Sequence, residues 1–466
     1  MPDSNLHKLS ALGQSVWIDY LSRVLLQTGE LERMMREDAV VGVTSNPTIF
    51  QKAISQGNRY DAQLREVLES GETDPKEIFL QLSSHDIADA CDLLRKVWDE
   101  GRGLDGYVSW EVDPTIAADR EATVAEAKRL HEWIERPNLY VKIPATEAGI
   151  GAIEEMIASG RNINVTLIFS LERHKEVMEA YIGGLERLVE SGGDPAKVHS
   201  VASFFVSRVD TETDKRLDAI GGDALQLRGK LGIANAKLAY QNYLETFSGS
   251  RWEALEAKGA TKQRCLWAST STKNPEYRDV LYVEELIGPA TVDTMPEETI
   301  QAFQDHGKVA ETLTQDVDEA RKLFDDLRQA GIDYDDVTDT LEREGVQKFT
   351  DSFQQLLDDV KADDNKTRLT CAGAAYALYP SPAGHLKPVG DWNTARIVAR
   401  GPHVEHWLNG VKLLEYELGS AEWEAKVKAS KFNDWPNYGR AKRGHFALQG
   451  DHEGALAFRN IRVRPL

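Results

Sequence analysis

Leu139-Tyr140-Val141-Lys142-Ile143-Pro144-Ala145-Thr146 sets one lysine inside an otherwise apolar, strand-like run. An ammonium is costly to bury, and desolvation is one way to lower a lysine's pKa until the free amine attacks a carbonyl. Lys142 is therefore a candidate Schiff-base nucleophile, against the plainer alternative of a surface lysine on an edge strand. Its company decides between the two.

Working outward, seven more β-rich runs frame it: Ser15–Tyr20, Gly42–Ser45, Gly106–Val112, Ile163–Phe169, Val198–Val206, Arg264–Ser269 and Ala290–Met295. With Leu139–Ala145 they make eight, each separated by a helix-length segment, and eight strand–helix units predict an α/β fold, a closed (β/α)8 TIM barrel. An open doubly wound sheet is the alternative, but no Gly-x-Gly-x-x-Gly follows the first strand. Extra helices follow the eighth strand. Asp316-x-x-Glu319 reads as a capping-box start, with Ala320, Leu323, Phe324 and Leu327 on one face and Gly331 as the stop. A further helix is expected from Asp335 to Val360, interrupted near Gly345.

The expected organisation is a barrel over 1–362, a polar linker over 363–367 (Asp363-Asp364-Asn365-Lys366) and a small β-rich segment over 368–466. Charge changes at the same place. From Asp363 on there are 15 Lys+Arg and 11 Asp+Glu, net +4; the first 362 residues hold 40 basic and 65 acidic side chains, net −25. An acidic body argues against nonspecific nucleic-acid binding and for a small substrate. Cys91, Cys265 and Cys371 form neither a disulfide framework nor a zinc spacing. No membrane-length apolar stretch or leader-like N-terminus is visible, so the expectation is a soluble, cytoplasmic protein.

In a (β/α)8 barrel, reacting groups sit where strands end, at the C-terminal rim. Reading the strand ends gives Asp19 on the first, Asn46 after the second, Glu111 on the third and Lys142 on the fourth. Asn164 and Thr166 follow on the fifth, then Ser203, Phe205 and Arg208 on and after the sixth. Each alone has an ordinary explanation as turn, cap, strand filler or surface ion pair. Together, around one lysine, they depart from the apolar layers that normally fill a barrel.

Val43-Thr44-Ser45-Asn46-Pro47-Thr48-Ile49-Phe50, Val141-Lys142-Ile143-Pro144-Ala145-Thr146 and Asn164-Val165-Thr166-Leu167-Ile168-Phe169-Ser170 closely resemble the transaldolase family in its longer bacterial form, over residues 8–362. Trp267-Ala268-Ser269-Thr270 and Tyr282-Val283-Glu284-Glu285-Leu286-Ile287-Gly288-Pro289 extend the resemblance. It implies cofactor-free, metal-free transfer of a dihydroxyacetone unit between sugar phosphates in the nonoxidative pentose phosphate pathway. Lys142 would form the imine, Asp19 would move the C4 hydroxyl proton, and Glu111 with Thr166 would hold a proton-shuttling water. Asn46, Asn164 and Ser203 would bind the dihydroxyacetone hydroxyls and Arg208 the phosphate. Where many relatives carry a second arginine, this chain offers Lys273 in Ser271-Thr272-Lys273-Asn274. Fructose 6-phosphate aldolase, the near relative that releases dihydroxyacetone, is disfavoured by a glutamate rather than a tyrosine at 111. A barrel without activity that presents its tail to a glycan is the non-enzyme alternative. A homo-oligomer stays open.

Beyond the linker, strands are expected at Arg396–Ala399, Val404–Leu408, Lys412–Glu417, Gly444–Gln449 and Leu456–Val463, with an Asn409-Gly410 type I′ turn and one helix over Ala421–Ser430. Trp392-Asn393, Val404-Glu405-His406-Trp407-Leu408-Asn409-Gly410 and Phe458-Arg459-Asn460-Ile461-Arg462 resemble the second half of the 3-keto-disaccharide hydrolase family, a lectin-like sandwich. A partial sandwich with an incomplete partner sheet is the expectation. Trp392, Trp407, Trp423 and Trp435 are read first as core aromatics, and His403, His406, His445 and His452 show no metal spacing. The tail is read as a fusion remnant, with binding of sugar or of another chain second.

Overall fold

A computed structural model describes residues 4–55, 59–363, 369, 373–382, 385, 387, 392–441 and 459–464. The chain divides into two units, Met1–Leu357 and Asp358–Leu466. In the first, eight parallel strands close into a barrel: β1 Gln14–Ile18, β2 Val40–Val43, β3 Val108–Glu111, β4 Leu139–Pro144, β5 Ile163–Ile168, β6 Ser200–Phe205, β7 Arg264–Ala268 and β8 Thr291–Met295. Every expected run holds a strand, and β1 closes the barrel on β8 in register from Gln14↔Thr291 to Ile18↔Met295. Among the described residues, no helix is long and apolar enough to cross a membrane.

Alternation along each strand sends every second side chain inward. The lower interior is filled. Trp17, Tyr107 and Tyr140 pack together there, with the two tyrosine rings stacked at 4.0 Å. Below them the Arg264 guanidinium pairs with Asp105 at 3.0 Å and donates to Ser15 Oγ at 2.8 Å, which plugs the barrel base with a satisfied charge. Gly42 makes this packing possible, because a Cβ there would lie 2.4 Å from Trp17 Cε2. Filling the base leaves the polar strand ends around a cavity at the opposite rim.

Two expectations about the later helices need correction. The helix Val317–Gln329 follows Asp316, but Asp316 has φ +56° and its side chain makes no cap bond. A capping side chain works from an extended N-cap backbone, and a left-handed one does not provide it. The last helix after the barrel strands, Tyr334–Asp363, runs without interruption. Gly345 is a contact point rather than a break: a Cβ would lie 3.1 Å from Leu167 Cδ2 and 3.4 Å from Phe169 Cε2. The ~1 kcal/mol lost by a helical glycine is offset by this close seating over the rim. Thr48 Oγ1 donates to Ser352 Oγ at 2.8 Å, and Arg173 pairs with Glu342 at 3.4 Å, fastening the helix to the barrel loops.

In the second unit, β9 Ala395–Arg400, β10 His403–Leu408 and β11 Val411–Glu417 form an antiparallel sheet in the order β11-β10-β9. Asn409 and Gly410 turn the chain at φ +49° and +88°. The helix Ala421–Lys428, capped by Ser420, is shorter than expected and buries Trp423 with Leu378, Val427 and Phe432. The small β-rich segment is there: the described residues form one antiparallel sheet and this helix-based core. Residues 459–463 of the expected strand Leu456–Val463 are not in a strand. The expected strand Gly444–Gln449, together with Cys371, His445, His452 and most of the linker, lies outside the described residues. Of the four tryptophans, Trp423 is buried, Trp407 partly so, and Trp392 and Trp435 are exposed.

Gly42→Ala drives a methyl into the Trp17 indole, an overpacking expected to cost about 1–3 kcal/mol or more. Denaturant unfolding should show a lower midpoint for it than for wild type.

Candidate active site

The rim cavity, of about 240 Å3, is lined by Asp19, Asn46, Lys142, Thr166, Ser203, Phe205, Arg208, Ser271 and Lys273, each a residue singled out in the sequence. Two other candidates lie just outside it. Glu111 borders an adjoining void of about 10 Å3 with Phe79 and Phe353. Asn164 is fully buried beneath, donating from Nδ2 to Ser109 Oγ at 3.0 Å and accepting from Ser203 Oγ at 2.7 Å.

Strand register explains the grouping. Glu111 on β3, Lys142 on β4 and Asn164 on β5 are consecutive partners across the sheet. Lys142 Nζ therefore lies 3.4 Å from Glu111 Oε2 and donates to the Ser45 carbonyl at 3.3 Å, with both side chains almost completely enclosed. The β5 register shifts after Val165, where Leu167 takes φ +59°. Bulges of this kind re-aim strand ends beside functional sites.

On the far side of the lysine, Thr44 Oγ1 donates to Asp19 Oδ1 at 2.7 Å and lies 2.7 Å from Thr294 Oγ1. A hydroxyl has one proton, so Thr294 is the donor to Thr44 and the relay runs toward the Asp19 carboxylate. Asn46 Oδ1 accepts from Ile49 N at 3.0 Å, capping the helix Pro47–Ser55. That bond commits the carbonyl end of its amide to the loop.

Burial moves the two carboxylates. Glu111 is pushed up to about 7 by desolvation, against the pull of Lys142. Asp19 is also raised by desolvation, opposed by Lys142, by the Thr44 hydroxyl and by Arg208 and Lys273. Desolvation lowers Arg208, and it lowers Lys273 in spite of Glu298 nearby. Arg208 lies 5.0 Å from the Phe205 ring and 5.8 Å from the Phe349 ring, while Lys273 Nζ donates to Ser271 Oγ at 2.6 Å. Thr166 Oγ1 and Arg208 Nη1 are buried without a protein hydrogen-bond partner. Buried polar atoms are almost always paired, so these two point to a polar ligand.

Seven lining residues were not singled out in the sequence: Thr44, Ala268, Ser269, Thr294, Pro296, Glu298 and Phe349. Thr44 and Thr294 carried a signal, since each is two residues along from an inward-facing position of its strand. Phe349 carried none. It reaches the cavity from the helix Tyr334–Asp363, with Lys142 Nζ 5.8 Å from its ring.

Comparison with known proteins agrees with the geometry. Residues 16–360 match the transaldolase/fructose-6-phosphate aldolase family model. A transaldolase of Acidothermus cellulolyticus is 54% identical over 352 residues, 75% of this chain and 94% of its own length. One from Mycolicibacterium paratuberculosis is 51% identical over 360 residues, 77% of this chain and 96% of its own. One from Mycobacterium tuberculosis is 50% identical over 361 residues, again 77% and 96%. Residues 335–464 match a 3-keto-alpha-glucoside-1,2-lyase-like domain. That match reaches back into the helix Tyr334–Asp363, whose Phe349 packs with the barrel core. With eight strands closed around an enclosed lysine and this similarity along most of its length, the chain belongs to the transaldolase/fructose-6-phosphate aldolase family of enzymes.

Proposed function

We propose that the barrel is a transaldolase that moves a dihydroxyacetone unit from sedoheptulose 7-phosphate to glyceraldehyde 3-phosphate, giving erythrose 4-phosphate and fructose 6-phosphate. The observation that carries this reading is the enclosed Lys142 amine 3.4 Å from Glu111, at the floor of a cavity ringed by Asp19, Arg208 and Lys273. Lys142 Nζ adds to the ketose C2 carbonyl. Glu111 is poised near neutrality, and with Thr166 it handles the protons as the carbinolamine loses water. Asp19 takes the C4 hydroxyl proton, the C3–C4 bond breaks, and its electron pair passes into the iminium to give an enamine. The aldose leaves, an acceptor aldehyde enters, and the enamine carbon attacks it while Asp19 returns a proton. Hydrolysis of the new imine frees the ketose and the amine.

Asn46, Asn164 and Ser203 hold the three-carbon unit between the two half-reactions. The Ser109–Asn164–Ser203 chain supports that role by fixing which end of each group faces upward. Arg208 supplies a planar fork for phosphate and Lys273 a point charge, so the phosphate subsite is less directional than one built from two arginines. Lys273 is held beside Ser271, to whose hydroxyl it donates at 2.6 Å.

Borohydride reduction in the presence of fructose 6-phosphate should leave a dihydroxyacetone-sized adduct on Lys142 by peptide mass, and Lys142→Ala should leave none; a wild-type adduct level in that variant refutes the assignment. Asp19→Ala should still be trapped as an imine while C–C cleavage slows by about 10²–10⁴-fold, and equal loss of both steps would remove Asp19 from its role. Glu111 is raised from 4.5 to about 7, so it becomes a proton acceptor only as pH rises through about 7. The imine-formation rate should therefore climb across that range and lose the inflection in Glu111→Gln, as measured by pH-dependent trapping.

A further inference from the structure

We infer that the sheet of the second unit carries a first-row divalent metal site built from His403, Glu405 and Glu415. Spacing along the chain hides it, because the ligands converge across strands. In the β10–β11 ladder Glu405 faces Glu415 and His403 faces Glu417, which places all four side chains on one face. Like charges directly opposite on a sheet are unfavourable, so this arrangement calls for a cation.

The geometry is that of a ligand set. His403 Nε2 lies 3.5 Å from Glu405 Oε1 and 3.8 Å from Glu415 Oε2, and the three ligating atoms are all within 4.8 Å of one another. Tetrahedral ligands at zinc distances of about 2.0–2.2 Å stand about 3.3–3.5 Å apart, so small rotamer adjustments close the site.

Two further contacts orient the ligands. His403 Nδ1 is 2.7 Å from Glu417 Oε1. A carboxylate only accepts, so a proton sits on Nδ1, and Nε2 is the nitrogen left to ligate an ion that displaces any proton it shares with the other two glutamates. This carboxylate–histidine arrangement is how proteins aim a metal-binding imidazole. Trp407 Nε1 donates to Glu405 Oε2 at 2.9 Å, holding Oε1 toward His403.

A cation already occupies the focus. Lys412 Nζ lies 2.7 Å from Glu415 Oε2 and 3.9 Å from Glu405 Oε1, as an internal competitor that an incoming ion displaces. Three protein ligands leave a coordination position for an oxygen of a further ligand. The cluster lies far along the chain from Lys142 and draws on none of the barrel's residues, so the inference stands or falls apart from the transaldolase reading.

The full-length protein, stripped with a chelator, is titrated with Zn2+ by calorimetry and with Co2+ by visible absorption. Wild type should saturate at one equivalent with micromolar or tighter affinity. Glu417→Gln should weaken binding by about 10–100-fold. His403→Ala and Glu405→Gln should weaken it at least as much, and Lys412→Met should tighten it several-fold. Lys142 trapping should be unchanged in all four. Glu415→Gln, at an exposed side chain, provides a ligand loss with little demand on folding. No saturable binding, binding that survives His403→Ala or Glu415→Gln, or no tightening in Lys412→Met would overturn the assignment.

Discussion

The enclosure of Lys142 beside Glu111 is the constraint from which the rest of the barrel follows. Two opposite charges 3.4 Å apart inside a protein forfeit hydration that their mutual attraction only partly returns. Such a pair persists where the surrounding structure over-determines it. Here adjacent strands fix the backbone register, and the Ser45 carbonyl accepts a hydrogen bond from the lysine. Above, on the helix Tyr334–Asp363, Phe349 borders the cavity over the lysine and Phe353 the small void beside the glutamate. The helix is therefore as much a part of the site as the strands are.

The same enclosure gives two carboxylates different working conditions. Glu111 meets aromatic and aliphatic walls and is held near neutrality by desolvation. Asp19 is also desolvated, but it receives a hydroxyl donor and faces three cations across the cavity. In the proposed mechanism one step uses a group that trades protons at neutral pH and the other a carboxylate held in place through bond cleavage and bond formation. Both shifts arise from packing, because the side chains differ by a single methylene.

Where the two families meet in this chain, the helix Tyr334–Asp363 answers to both sequence matches. Its packing assigns its N-terminal part. Val337, Leu341 and Phe349 belong to the barrel core. The second unit has its own small core around Trp423 and Phe432, and among the described residues His403, Glu405, Glu415 and Glu417 on one face of its sheet are not members of that core.

Much of the barrel was legible because its signals are local. Eight apolar runs at strand length, separated by amphipathic segments, specify a closed parallel sheet, and period-two alternation from Lys142 locates the inward residues at each strand end. Asp19 and Glu111 were readable for that reason, whereas Arg208 stands on the helix Ser207–Ile220, outside the alternation. The positions that escaped depend on contacts between distant segments. Phe349 looks like any helical core aromatic, Gly345 looks like a break, Asp316 looks like a cap, and His403 and Glu415 share no motif. The order and identity of the strands follow from sequence alone, since side-chain periodicity and backbone propensity act over a few residues. Which helix roofs the lysine, how burial raises the two carboxylates and which residues meet across the small sheet were decided only by tertiary structure, because desolvation and charge proximity depend on distances in space rather than along the chain.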